Sequence, residues 1–179
     1  MFEISSRRSF LVAAAGAVAG LSLPRSTTAA AAGPRVLRFD HLHTGEKLEI
    51  EYWKSGAYEP ESLGVINHLM RDFRTGDIHA IDPSLLDLLH KLSVRTGTRR
   101  PFEIISAYRS AATNAALRSH SSGVASRSLH LKGQAIDIRL ADVPLKRLRS
   151  AALASRRGGV GYYPGSNFIH VDTGSLRVW

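Results

Sequence analysis

Ser128-Leu129-His130-Leu131-Lys132-Gly133-Gln134-Ala135-Ile136-Asp137, answered by Phe168-Ile169-His170-Val171-Asp172, is the pair of stretches on which the reading of this chain turns. Together they offer imidazoles and carboxylates in the mixture that a catalytic zinc uses, three protein ligands with a fourth position left free. Fully extended, His130 to Asp137 would span roughly 23 Å at about 3.3 Å per residue. Two ligands of one zinc each lie about 2 Å from it, so the segment must fold back on itself. Gly133 suits that turn, because glycine accepts positive φ and close backbone approach. After it, Gln134 to Leu140 alternates as a strand, with Ile136, Ile138 and Leu140 on one face and Ala135, Asp137 and Arg139 on the other. Asp137 thus falls on the polar face, beside a small residue that leaves room for an ion.

The second stretch alternates in the same way. Ile169 and Val171 point to a core, and His170 and Asp172 share the opposite face. Upstream, Val160 to Tyr163 reads as another strand. Tyr163-Pro164-Gly165-Ser166 has proline and glycine in the central positions of a type II turn, which predicts a hairpin with His170 and Asp172 on its second arm.

Working outward, Val36 to Phe39 and Leu48 to Tyr52 around His43-Thr44-Gly45-Glu46 read as a first hairpin. A helix follows from Pro60, with apolar Leu63, Ile66, Leu69, Met70 and Phe73 and a stop at Gly76. A second has Asp82 as N-cap, Pro83 at its first position, a leucine face through Leu92 and Gly97 as its end. A short helix after Ser110 and one from Asp142, closed by Gly158-Gly159, complete the set. Ser119 to Ser128 is a serine-rich loop abutting His130 that shapes a groove. These elements predict one α+β domain over residues 33–179, a small antiparallel sheet with flanking helices.

Residues 1–32 read as an export signal. Ser6-Arg7-Arg8-Ser9-Phe10-Leu11 is a twin-arginine signature, Val12 to Leu23 is apolar, and Thr28 to Ala32 supplies small residues for cleavage near Ala30 to Ala32. The apolar stretch is shorter than the roughly 20 residues that a span needs; retention as an anchor is the alternative. The expected location is the periplasm, with no stable membrane span after signal removal. The chain has no cysteine, so no disulfide, thiol ligand or lipoprotein anchor enters the reading. Its formal charge is +9. Removal of residues 1–30 takes away Arg7, Arg8, Arg25 and Glu3 and leaves +7. That suits an acidic partner. Nucleic acid is excluded, since the basic residues are scattered, carry no nucleic-acid module and follow an export signal.

The pattern S-x-H-x-x-G-x-A-x-D with a later H-x-D resembles the LAS metallopeptidases, the group of lysostaphin, the D-Ala-D-Ala peptidases and the hedgehog amino-terminal domain. More closely, Ser106 to Ser110, Ser128 to Asp137, Gly158 to Pro164, Phe168 to Gly174 and Arg177-Val178-Trp179 resemble the exported murein endopeptidases of the MepK (YcbK) type. The resemblance implies the LAS, hedgehog-like fold and one Zn2+ per chain held by His130, Asp137 and His170. Manganese or iron suits the same donors. It implies peptidoglycan stem peptides as partner and substrate, cut at D-Ala-meso-diaminopimelate or diaminopimelate-diaminopimelate cross-links. A zinc D,D-carboxypeptidase and a non-catalytic zinc-containing wall-binding module are the alternatives. Arg109 matches the family arginine that faces a substrate carbonyl or carboxylate, and Ser128 either binds substrate or bonds its own loop.

One departure matters. Where the dipeptidase branch carries a glutamate base three residues before the last histidine, this chain has Asn167, and where another branch has a histidine, it has Phe168. Asp172 is the candidate to take the proton of the attacking water, or else to orient His170 through its second ring nitrogen. The remaining histidines, His41, His43, His68, His79 and His90, read as surface or partly buried; His120, in the loop before the motif, reads as a loop residue, with an extra acid or base near the site as the alternative. Arg177 and Trp179 read as packing.

Overall fold

Period-two alternation becomes one eight-stranded sheet in the computed structural model, which describes residues 33–121 and 123–179. The export signal expected over residues 1–32 lies outside them. In chain order the strands are β1 (Arg35–His41), β2 (Lys47–Lys54), β3 (Ala57–Tyr58), β4 (Phe102–Ser106), β5 (Ala135–Leu140), β6 (Gly159–Tyr163), β7 (Phe168–Asp172) and β8 (Arg177–Val178). Across the sheet they run β3-β2-β1-β4-β5-β7-β6-β8. The helices are α1 (Pro60–Leu69), α2 (Pro83–Thr96), α3 (Ala111–His120) and α4 (Leu145–Ala154).

The α+β class holds, but the sheet is neither small nor wholly antiparallel. β1 pairs with β4 in parallel, and so does β6 with β8. Parallel partners need a long crossover; here α1 and α2 both lie between β1 and β4, beyond the reach of local pattern. β3 and β8, two residues each, are too short for a period of their own.

Helix α2 follows the sequence rules. Asp82 accepts the N–H of Ser84, Pro83 opens the helix and Gly97, at φ 71°, ends it. Leu85, Leu86, Leu88, Leu89 and Leu92 are all buried, each worth about 1.5–3 kcal/mol relative to exposure. They pack with Phe39, Tyr52, Phe102, Ile136 and Ile138 of the sheet in one core.

Three local expectations need correction. Helix α1 stops at Leu69 rather than running to Gly76. The buried carboxylate of Asp72 takes the N–H groups of Arg74 and Ser110, so side-chain bonds win over helical continuation, and Gly76 closes the loop by donating to the Asp72 carbonyl. Helix α4 begins after Pro144, while Asp142 accepts the Thr98 hydroxyl at 2.9 Å. The β6–β7 connection is a short 3-10 turn, Pro164–Ser166, whose left-handed residue is Asn167 at φ 53° and ψ 50° instead of Gly165. Asparagine is among the few side chains that tolerate that region, so the position where a glutamate base was sought is occupied by a turn former.

Candidate metal centre and cavity

Strands β5 and β7 are antiparallel neighbours, and their register sets Asp137 directly opposite His170. Residues so opposed share a face, with Cβ atoms about 4.5–5.5 Å apart. His130 arrives from a 3-10 turn, Leu129–Lys132, capped by Ser128 and closed by Gly133 at φ 63°. That turn lies hard against α2's entry: a Cβ on Gly133 would collide with the Ala80 carbonyl oxygen. The register of β4 against β5 shifts between Ile104 and Ser106. This bulge carries the chain into Ala107, whose carbonyl receives Nδ1–H of His130 at 2.6 Å.

The structure therefore brings the three expected ligands together. His130 Nε2 lies 3.1 Å from His170 Nδ1 and 3.3 Å from Asp137 Oδ1, and His170 Nδ1 lies 2.9 Å from the same carboxylate oxygen. The far nitrogen of each ring is anchored, His130 on Ala107 and His170 on Asp172 Oδ2 at 2.9 Å. Both anchors only accept, so each far nitrogen carries a proton and each near nitrogen is free to present a lone pair. Two lone pairs and a carboxylate oxygen then converge in a buried spot, which needs a proton or a cation among them. The point equidistant from the three atoms is about 1.8 Å from each, close to the roughly 2.0–2.1 Å of zinc–imidazole bonds. The donor set fits a zinc ion.

Electrostatics follow the same geometry. Burial lowers the pKa of His130. Burial also opposes charge on His170, but its bonds to Asp137 and Asp172 outweigh that and raise its pKa. Asp137 stays ionised against its burial because His130 and His170 hold its carboxyl well below the usual range.

Asp172 does not face the cavity. It is 0 % exposed and sits behind His170. Its Oδ1 takes the N–H groups of Gly159 and Gly174, and its Oδ2 takes Arg177 Nη2 at 2.6 Å as well as His170. Burial would raise its pKa, yet the bonds from His170, Gly159 and Gly174 bring it down. The arrangement favours the orienting role over that of a base. Gly158, at φ 61°, is what permits it: a Cβ there would collide with the Asp172 carbonyl. Arg177, read from sequence as packing, is thus an ionic partner of the anchor. Trp179, also read as packing, is 47 % exposed and lines the cavity. Its indole lies over Gly161, donates to the Tyr163 hydroxyl at 2.7 Å and reaches within 5.2 Å of the His170 ring centre.

The three expected ligands open into a cavity of 780 Å³. Arg109 lines it, 9 % exposed, with Nη2 at 3.4 Å from Asp137 Oδ2 and a buried Nε that has no partner. Burial lowers its pKa, Asp137 opposes that, and the charge of Arg74 adds to the lowering. Its backbone is fastened from both sides: Arg109 N–H donates to His130, Tyr108 N–H to Met70, and Ser110 N–H to Asp72. Asp72 is a site-supporting residue the sequence reading missed. Ser128 lines the cavity while its hydroxyl takes the His130 N–H at 3.4 Å, a loose bond to its own loop. Phe168 stacks on Tyr163 at the cavity wall. Of the other histidines, His41 is wholly buried, accepting the N–H groups of His43 and Thr44, and the turn it holds brings His43 to the cavity, stacked on Phe73. His120 is exposed, bonded to Ala116 and Ser119, and does not line the cavity.

A family model described as peptidoglycan L,D-endopeptidase MepK matches residues 29–179. The chain is 43% identical over 182 residues to the peptidoglycan L,D-endopeptidase MepK of Escherichia coli K12, covering all of both proteins. It is 46% identical over 168 residues to the probable peptidoglycan L,D-endopeptidase MepK of Haemophilus influenzae, covering 92% of this chain and 90% of that protein. No solved structure gives a significant match.

Proposed function

The chain belongs to the peptidoglycan L,D-endopeptidase MepK family, and we propose that it is a zinc metallopeptidase hydrolysing cross-link peptide bonds of peptidoglycan on the LAS fold. The observation that carries the reading is the convergence of His130 Nε2, Asp137 Oδ1 and His170 Nδ1, each within 4.8 Å of the others, at the floor of an open cavity. Zinc held there would supply Lewis acidity, polarising a carbonyl and lowering the pKa of water toward neutrality. Asp172 keeps the His170 ring turned and its far nitrogen protonated. Arg109, buried and short of one partner, offers its guanidinium to the oxyanion that develops as an amide is attacked. Ser128 fixes the His130 turn and faces substrate. The bonds meant are D-Ala-meso-diaminopimelate or diaminopimelate-diaminopimelate links. The setting is the periplasm, reached by the twin-arginine route, with residues 1–32 removed; the signature at Ser6 to Leu11 supports this.

A second reading is favoured by one observation: Asp137 is the sole side-chain carboxylate lining the cavity among the described residues. A wall-binding module that keeps zinc for structure needs no second one. The two readings separate in a digestion of cross-linked muropeptides by the zinc-loaded protein, followed by mass spectrometry. Loss of dimers that a chelator abolishes supports the endopeptidase, and release of terminal alanine alone supports a carboxypeptidase. No cleavage in zinc-replete buffer overturns the enzyme reading.

A further inference from the structure

Four arginines line the cavity, Arg74, Arg109, Arg127 and Arg177, against the single side-chain carboxylate of Asp137. Two of them are spoken for: Arg109 faces Asp137, and Arg177 is bonded to Asp172. Arg74 has no carboxylate within ion-pair distance among the described residues, and its guanidinium lies 4.1 Å over the Phe73 ring. Phe73 is itself stacked on His43, ring centres 4.2 Å apart, so the guanidinium rests on a fixed aromatic base.

Arg74 is also tied to Arg109 through the backbone. Asp72, wholly buried, receives the Arg74 N–H on Oδ1 at 3.0 Å and the N–H of Ser110, next to Arg109, on Oδ2 at 2.8 Å. One carboxylate thus sets the spacing of two cations that repel each other. The buried Nε of Arg109 has no hydrogen-bond partner.

From this we propose that Arg74, paired with Arg109, is a specificity residue that binds a free carboxylate on the substrate, on the carbon bearing the scissile nitrogen. The proposal rests on the peptidase reading above. A peptide joint made on the second amino group of a diamino dicarboxylic acid such as diaminopimelate leaves that carboxylate free, whereas in a main-chain bond followed by a further residue it is already part of the next amide. Arg74 would thereby favour cross-links over ordinary main-chain bonds. Arg127 stands in the serine-rich loop without a comparable backbone tie.

The test uses two synthetic branched peptides that differ only in that group, carboxylate or carboxamide, with the zinc-loaded full-length protein and its Arg74→Gln and Arg74→Lys variants. The wild type is expected to cleave the carboxylate form with kcat/KM about tenfold higher, the scale of one charge-assisted hydrogen bond. Arg74→Gln should bring the two substrates to similar rates, and Arg74→Lys should keep part of the preference. Binding of a non-cleavable carboxylate analogue, followed by tryptophan fluorescence, should weaken in Arg74→Gln by a similar factor. Equal cleavage of both forms by the wild type would overturn the proposal while leaving the peptidase reading intact. So would an equal loss on both substrates in Arg74→Gln, the mark of a structural role. Cleavage of neither by the wild type would sink the peptidase reading and this proposal with it.

Discussion

Arg109 and Asp172 should fail in different ways when removed. Arg109→Ala takes away an oxyanion donor and should lower kcat on the order of 100-fold or more with zinc still bound, as single-turnover assays and metal analysis would show. Asp172→Ala frees the His170 ring and should weaken zinc binding by about 10–100-fold, read by competition with a chromophoric chelator. If Asp172→Ala kept both zinc and full activity, its orienting role and its role as a base would both be wrong. Asp72 gives a separate signature in acid. Burial would raise its pKa, but bonds from Thr113, Ser110 and Arg74 bring it down to about 2 from an ordinary 3.8. A depressed carboxylate stabilises the fold above its unfolded pKa, and that contribution disappears as pH falls through the folded value. Asp72→Asn should therefore be less stable than wild type at pH 6, with the difference shrinking between about pH 4 and pH 2 in chemical unfolding. At this scale the convergence of His130, Asp137 and His170 was legible, because H-x-D on a strand and a glycine after His130 are local signals. Asp72 was not, since its partner Ser110 is distant in sequence and meets it only in the fold; Arg177 was not, because only the turn after β7 brings it back onto Asp172.

At the scale of elements, the entry to the β6–β7 hairpin leaves no room for a side chain. Gly158 combines positive φ with direct contact to the Asp172 carbonyl. Gly158→Ala should destabilise by about 3 kcal/mol or more, the range for backbone strain joined to a clash, visible as a lowered Tm together with weaker zinc binding. Alternation read the faces of β5 and β7 correctly, and α2 was legible from cap to cap. The reading of the β6–β7 turn failed because Pro164-Gly165 suits a type II turn equally well, and only the fold shows Asn167 taking the left-handed position. The parallel pairs were invisible for a different reason: no local pattern in β1 says that β4, two helices later, lies beside it.

For the whole molecule, the excess of seven positive charges left once residues 1–32 are removed meets a cavity walled by arginines. Attraction between exposed charges decays over a Debye length of about 10 Å at 0.1 M salt. KM for an anionic muropeptide should therefore rise several-fold between 50 and 500 mM salt, with kcat changing less, in steady-state assays on the zinc-loaded enzyme. A KM indifferent to salt would show that the arginines do not attract substrate.

The parallel pairing of β1 with β4 also dictates an order of assembly. As the chain leaves the ribosome, β1, β2 and β3 emerge first, but β1 waits for Phe102 before its other edge is covered. Such non-local closure slows folding. The candidate metal ligands come later still, and His170 follows every helix. During synthesis an ion held by all three residues therefore cannot start the fold. It can only be captured at the end, by a sheet whose first half has already waited for its second.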